Sequence, residues 1–90
     1  MYSIAETSRF KRDYRKAVQR GYNMNLLAEV ITLLATGEPL PGKYRDHALI
    51  GNWKDFRECH VASDWLLIYK IEADILVLTL QRTGTHSDLF

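Results

Sequence analysis

The sequence predicts a single α+β domain in which a helical hairpin packs on a mainly antiparallel sheet. Apolar residues recur at helical spacing in the first half of the chain and at strand spacing in the second half. A chain of 90 residues also has room for only one modest core. The predicted order of elements over residues 1–90 is β-α-α-β-β-β, with both helices covering one face of the sheet.

A short strand and a first helix are predicted at the start of the chain. Residues 2–5 alternate weakly between polar and apolar types, as strands do. Thr7 or Ser8 then offers a side-chain N-cap, and Gly21 suits the C-terminal stop of a helix. The apolar residues between these signals follow helical spacing and are Phe10, Tyr14, Ala17 and Val18.

A second helix is predicted directly after the first. Asn23 or Asn25 can cap its start, and Gly37 ends it. Residues 38–42 contain both prolines of the chain and cannot continue the helix. Its apolar stripe consists of Leu26, Leu27, Val30, Ile31 and Leu34.

Three strands are predicted in the second half. Residues 53–61 mix polar and apolar types, whereas residues 65–71 are almost wholly apolar, as expected of a central strand buried on both faces. The connections between the strands are short enough for hairpins. Residues 75–82 alternate, which places on one side Leu76, Leu78, Leu80 and Arg82.

The charge of the chain is unevenly distributed. Residues 9–20 carry six cations and one acidic residue, Asp13, so this segment has a charge of +5 and the net charge of +1 leaves −4 for the rest. Such a segment is either a solvated helix face or an electrostatic surface for a polyanion. The six cations are Arg9, Lys11, Arg12, Arg15, Lys16 and Arg20.

Several classes of protein are disfavoured by the sequence. Residues 1–7 lack the basic start and apolar run of a signal peptide, and no apolar stretch is long enough to span a bilayer. The single cysteine, Cys59, rules out an intramolecular disulfide, and its position in the alternation predicts a core residue. We therefore expect a cytoplasmic protein without a membrane partner, a metal or another cofactor.

Four polar side chains are expected to meet at one edge of the sheet. His60 ends one predicted strand and Asp64 begins the next. The chain then runs out and back through strands of similar length, which returns Arg82 to the same edge. His86 follows four residues later. Two imidazoles, a carboxylate and a guanidinium therefore converge.

This set of groups suits the transesterification of an RNA phosphodiester. A base takes the proton of the 2′-OH, a guanidinium balances the charge that grows on phosphorus, and an acid protonates the 5′-oxygen leaving group. Aromatic side chains near the same edge, Trp65 and Phe90, can stack on unpaired bases.

Simpler interpretations exist for each of these residues. His60 can be a strand histidine bonded to Asp64, Arg82 can form an ordinary ion pair, and the aromatic residues can belong to the core. A metal site of two histidines and an aspartate is a further alternative, although no ligand spacing supports it. His47 precedes residues 53–61, so it belongs at the opposite end of the sheet unless residues 44–52 fold back.

Three segments resemble the YafQ-like toxins of the RelE superfamily. Residues 44–53 resemble the D-H-x-L-x-G-x-W segment of that family, and residues 57–70 continue the similarity. Residues 82–90 resemble its R-T-G-[ST]-H-x-x-L-F terminus. The similarity extends through the helical hairpin and so covers nearly the whole chain.

The resemblance implies a RelE-like fold and a ribosome-dependent endoribonuclease that cleaves mRNA in the ribosomal A site and is neutralised by a cognate antitoxin. It also implies an active region, with Trp65 nearby, that comprises His47, His60, Asp64, Arg82, His86 and Phe90. The resemblance does not assign the general base and the general acid, and our hypothesis is a base among His60 and Asp64 and an acid at His86. For such an enzyme, the basic helix is expected to contact ribosomal RNA through Arg12, Arg15 and Lys16.

Two rival functions are compatible with parts of the sequence. ParE-like relatives of the same fold bind gyrase and cleave nothing, and they would not need the set of catalytic groups. A plain nucleic-acid-binding module would use the basic helix and leave the histidines incidental. Growth arrest without mRNA cleavage would favour the gyrase-binding rival, and toxicity that survives the replacement of His86 with Gln would favour the binding module.

Overall fold

A computed structural model describes residues 1–90 and shows three helices and five strands. Two single turns of 3-10 helix, Gly42–Tyr44 and Gly51–Trp53, lie between α2 and β3. The elements are, in chain order, β1 (Ser3–Glu6), α1 (Ser8–Gln19), α2 (Met24–Thr36), β2 (His47–Ala48), β3 (Arg57–Ala62), β4 (Trp65–Glu72), β5 (Val77–Gly84) and α3 (His86–Leu89).

The five strands form one sheet in the order β1-β5-β4-β3-β2. The pairs β2–β3, β3–β4 and β4–β5 are antiparallel, and only β1 pairs in parallel with its neighbour β5. This arrangement confirms the α+β class and the mainly antiparallel sheet that the sequence predicts. None of the three helices has the length and apolarity that a membrane span requires.

The predicted caps define the helical hairpin. The Thr7 side chain accepts a hydrogen bond of 3.0 Å from the backbone N–H of Phe10, and α1 ends just before Gly21, whose φ is +79°. The Asn23 side chain caps α2, and Gly37 ends it with a φ of +82°. These local signals satisfy backbone groups that a helix cannot satisfy by itself.

The main core lies between the two long helices and the sheet. Of the predicted stripe of α2, Leu27, Val30 and Leu34 are buried, whereas Leu26 is partly exposed at the margin of the helix. The sheet and α1 complete this core with buried side chains that include Phe10, Ala17, Cys59, Val61, Leu67, Tyr69, Leu78 and Leu80.

A second, smaller core lies on the opposite face of the sheet. Leu66 and Ile68 of β4 point to this side and contact Leu89 of α3. The central strand is therefore buried on both faces, as its continuous apolar run predicts. Partly buried side chains from the loop before β3 pack against this cluster, namely Leu49, Trp53 and Phe56.

The predicted strand boundaries are wrong at two places. Residues 53–56 belong to a turn and the strand begins only at Arg57. Ile75 and Leu76 are exposed in the turn before β5, and Leu76 has a φ of +54°. The predicted strands begin too early because apolar residues also occur in turns, and composition alone does not show where the backbone reverses.

A bulge in β5 changes the direction of Arg82. Tyr69 pairs with Leu80 but Ile68 pairs with Arg82, so Gln81 is an extra residue on this strand. Tyr69 and Ile68 point to opposite faces of the sheet. The prediction that Arg82 shares a side with Leu80 is therefore wrong, because the bulge shifts the alternation by one residue.

Candidate active site

The three histidines form a row that continues to Phe90 on the side of the sheet opposite to the long helices. The ring centroids of His47 and His60 are 6.5 Å apart, and those of His60 and His86 are 6.4 Å apart. The Phe90 ring lies 5.9 Å beyond that of His86 and is largely exposed. Three separate segments of the chain thus supply one continuous surface of imidazole and aromatic groups.

His47 reaches this row because its loop folds back. The short strand β2 pairs with β3, with His47 opposite Glu58, and the backbone N–H of Leu49 donates to the carbonyl of Phe56 at 3.0 Å. The turn over residues 49–56 therefore reverses the chain. The prediction that places His47 at the opposite end of the sheet is therefore wrong, and the alternative in which residues 44–52 fold back is correct.

Asp46 anchors the start of β2. Its carboxylate accepts hydrogen bonds from the hydroxyl of Tyr69 and from Arg57, whose Nη2 lies 3.1 Å from Oδ2. Burial together with this contact raises the pKa of Tyr69 above its ordinary value, so the hydroxyl remains a donor. Of the two adjacent residues in the Asp-His motif, Asp46 thus has a structural role and His47 belongs to the row of histidines.

A buried carboxylate, Glu58, lies between two of the histidines. Its exposed fraction is 4%, and its Oε1 is 3.4 Å from Nε2 of His47 and 4.0 Å from Nε2 of His60. Glu58 is not among the predicted site residues. The available signal was its position two residues before His60 on the same strand, which places both side chains on one face.

Hydrogen bonding fixes the tautomer of His47. Its Nδ1 lies 2.8 Å from the backbone carbonyl of Arg45, and a carbonyl only accepts, so this nitrogen carries a proton. The other nitrogen, Nε2, lies 3.4 Å from Oε1 of Glu58. The ring of His47 is therefore held between the backbone of Arg45 and the side chain of Glu58.

His86 and Asp64 meet beside the β3–β4 turn, as predicted. The Oδ1 atom of Asp64 accepts a hydrogen bond of 3.1 Å from the backbone N–H of His86 and lies 3.5 Å from its Nδ1. Both side chains are well exposed. The carboxylate therefore holds the start of α3 and orients its imidazole, while leaving the ring open to a substrate.

An ion pair fixes α3 to the end of α1. Arg20 donates to both oxygens of Asp88, with distances of 2.6 Å and 3.0 Å, and Lys16 Nζ is 3.6 Å from the same carboxylate. Asp88 also forms a capping box with Thr85. The hydrogen bond from Arg20 holds the pKa of Asp88 well below its usual range. This anchoring matters because a helix of one turn has no stability of its own.

Arg82 is already bound to a carboxylate. Its Nε and Nη2 atoms donate to Asp13 of α1 at 2.7 Å and 3.1 Å, and both side chains are 12% exposed. The hydrogen bond to Asp13 raises the pKa of Arg82. Two of the five guanidinium N–H groups serve this pair, which leaves three to donate elsewhere. The charge of the guanidinium predicted to face the phosphate is therefore balanced by Asp13, which is not among the predicted site residues.

Trp65 requires a correction. The ring is 4% exposed, its Nε1 donates to Oγ1 of Thr83 at 2.9 Å, and its centroid lies 4.9 Å from that of Tyr22. A side chain buried in this way cannot stack on a base. The prediction that Trp65 binds RNA is wrong, and the simpler interpretation as a core residue describes it.

The three basic residues predicted to contact RNA all lie on the exposed surface of α1. Arg12 and Arg15 have no carboxylate within ion-pair distance, whereas Lys16 is near Asp88. Elsewhere, Cys59 is fully buried as predicted, and burial raises the pKa of its thiol to about 12. It is therefore not an accessible nucleophile.

Comparisons with known proteins agree with this fold and identify the family of the chain. The family described as a bacterial toxin of type II toxin-antitoxin systems, YafQ, matches residues 2–90. The mRNA interferase toxin YafQ of Escherichia coli strain K12 is 42% identical over 88 residues, which cover 97% of this chain and 94% of that protein.

Solved structures of relatives superimpose on the whole chain. The crystal structure of YafQ from E. coli strain BL21(DE3) is 40% identical with a TM-score of 0.93, and covers 100% of this chain and 99% of its own. YafQ in the crystal structure of the E. coli DinJ-YafQ complex is 41% identical with a TM-score of 0.91 and the same coverage. The chain therefore belongs to the YafQ family of bacterial type II toxins.

Proposed function

We propose that this protein is a ribosome-dependent endoribonuclease that cleaves mRNA in the ribosomal A site and thereby stops translation. The observation that carries the proposal is the row of His47, His60 and His86, flanked by Glu58 and Asp64 and ending at Phe90. Membership of a family whose E. coli relative is an mRNA interferase supports the same activity.

The proposed reaction is a metal-independent transesterification. A base removes the proton of the 2′-OH, and the 2′-oxygen forms a bond to phosphorus. The bond from phosphorus to the 5′-oxygen breaks, and an acid protonates that oxygen. The products are a 2′,3′-cyclic phosphate and a 5′-hydroxyl, so neither water nor a cofactor is consumed.

The geometry supports a division of roles among the site residues. Asp64 holds the start of α3, where the ring of His86 is open to a substrate, and this position suits the general acid. His60 is then the better candidate for the base, since Asp64 is engaged elsewhere. The guanidinium of Arg82 would stabilise the negative charge of the phosphorane, and His47 extends the row of imidazoles beside His60. Phe90 is exposed and offers a ring on which a base can stack.

Ribosome binding is assigned to the basic face of α1. Arg12 and Arg15 are exposed and free of ion pairs, so they can replace counterions along ribosomal RNA. A cognate antitoxin is the expected protein partner, by analogy with DinJ in the E. coli complex. The site of action implies a cytoplasmic protein.

Mapping mRNA 5′ ends after induction tests the proposal. The wild type should produce new ends within coding sequences, and His86→Gln should abolish them while remaining folded. Growth arrest without cleavage would instead support a gyrase-binding toxin of the ParE type. Toxicity that survives His86→Gln without cleavage would support a binding module.

A further inference from the structure

Arg45 contacts two histidines of the candidate active site at once. Its Nη2 lies 3.1 Å from Nδ1 of His60, and its carbonyl oxygen lies 2.8 Å from Nδ1 of His47. The side chain is exposed and has no carboxylate within ion-pair distance. Arg45 is not among the predicted site residues, and it has no role in the reaction described above.

The backbone of Arg45 is held in an unusual conformation. Its φ and ψ are 48° and 45°, in the left-handed region that non-glycine residues rarely adopt. Its N–H donates to the carbonyl of Gly42 at 3.0 Å, which closes the 3-10 turn before β2. The strained turn directs the carbonyl to one histidine and the side chain to the other. Such strain is concentrated at functional sites.

The contact with Arg45 fixes the tautomer of His60. A guanidinium only donates hydrogen bonds, so Nδ1 of His60 must be the acceptor and carries no proton. The proton of the neutral ring is then on Nε2, which faces Glu58. The lone pair that a general base needs is thus on Nδ1, where Arg45 covers it.

Arg45 is also better placed than Arg82 to bind an incoming phosphate. The guanidinium of Arg82 is bidentate to Asp13 and only 12% of its side chain is exposed. The charge of Arg45 is not balanced in this way. A cavity of about 250 Å³ opens beside it, and Lys43, His60 and Ser63 are among its lining residues. The cavity provides space for part of an RNA strand, and besides Arg45 its lining carries one cation, Lys43, and one acidic side chain, Glu29.

We propose that Arg45 binds a non-bridging oxygen of the scissile phosphate and, in turning to it, uncovers Nδ1 of His60 for proton transfer. Arg45 keeps its own protons and forms no covalent bond. The 2′-OH proton passes to Nδ1 of His60 as the bond from the 2′-oxygen to phosphorus forms. This inference rests on the proposed function, because it assigns a phosphate-binding residue to the same reaction.

Arg45→Gly is the most informative variant. Glycine favours this backbone conformation, and the carbonyl that contacts His47 is retained. We expect single-turnover cleavage on ribosomes carrying a defined mRNA to slow about 100-fold, the usual effect of removing one transition-state donor. Arg45→Lys should recover part of the rate. Lys54→Gln removes an exposed cation outside the site and serves as the control.

Phosphorothioate substrates separate phosphate binding from a structural role. Sulfur at the non-bridging position is a weaker hydrogen-bond acceptor, so the wild type should cleave one diastereomer more slowly, and Arg45→Gly should lose that preference. A wild-type rate for the folded Gly variant, or an unchanged preference, would overturn the inference. If the wild type cleaves and His86→Gln does not, such a result overturns only the role of Arg45. A wild type that does not cleave would overturn both proposals.

Discussion

Asp13 and Arg82 form a bidentate ion pair that joins the middle of α1 to the end of β5. The oxygen Oδ2 of Asp13 also accepts a hydrogen bond of 3.1 Å from the backbone N–H of Thr83. This pair explains why the strongly basic segment retains one acidic residue. It also connects α1, the helix proposed to bind the ribosome, to Arg82 of the candidate site.

Asp13→Asn should loosen both the fold and the position of Arg82. Since the pair is mostly buried, loss of one partner leaves a charge without compensation, and we expect the free energy of unfolding to fall by about 2 kcal/mol. Urea denaturation measures this change. Asp55→Asn, at an exposed position, is the control. Cleavage by Arg82→Ala should not fall further when Asp13→Asn is added, and additive losses would contradict action through Arg82.

Asp88→Asn should alter the dependence of stability on pH. Arg20 depresses the pKa of Asp88 in the folded state, so the stabilisation is complete above the ordinary pKa of an aspartate, about 3.9, and is lost as the pH falls. Thermal melting should therefore show a large loss of stability at pH 7 and a much smaller one in strong acid. Asp74→Asn, in an exposed turn, should show no such difference. Equal losses of stability at pH 7 and in strong acid would show that the negative charge of Asp88 does not stabilise the fold.

Neutralising Arg12, Arg15 and Lys16 should weaken ribosome binding without unfolding the protein. The plot of log affinity against log salt concentration has a negative slope, and each lost phosphate contact should make that slope less negative by about one unit. Lys16 should contribute least, since it already lies near Asp88. Binding measured at several salt concentrations tests this expectation. A slope that does not change would exclude this face as the docking surface.

Trp65→Phe should affect stability and leave the chemistry unchanged. The substitution removes the hydrogen bond from Nε1 to Thr83 within the core, and we expect a loss of about 1 kcal/mol. Single-turnover cleavage by the folded variant should match the wild type. Slower cleavage with unchanged stability would instead indicate a contact with RNA.

Local sequence signals were sufficient for the two long helices and insufficient for α3 and for several features of the sheet. The stops at Gly21 and Gly37 act within a few residues, so composition and spacing identify them. Each N-cap was narrowed to two nearby candidates, of which the structure uses Thr7 and Asn23. The turn before β5 contains apolar residues, and periodicity does not distinguish such a turn from a strand. Neither the two-residue strand β2 nor the bulge at Gln81 has a periodic signal.

The candidate site shows the same division between local and distant signals. Hairpin connectivity was sufficient to bring His60, Asp64 and His86 together. The position of His47 depends on a loop that folds back, and only the family resemblance indicated it. The pair of Asp13 and Arg82 joins residues 69 positions apart. No pattern within either segment specifies that contact.

The separation of the interior into a large and a small core has a consequence for heat inactivation. The loop over residues 49–56 and α3, which carry or support His47, His86 and Phe90, rest on the small cluster around Leu66 and Ile68. Few buried side chains hold them, so these segments should open at temperatures at which the long helices are still packed. Enzymatic activity should then disappear on warming before circular dichroism records the loss of helix, and it should return on cooling without any need to refold the rest of the molecule.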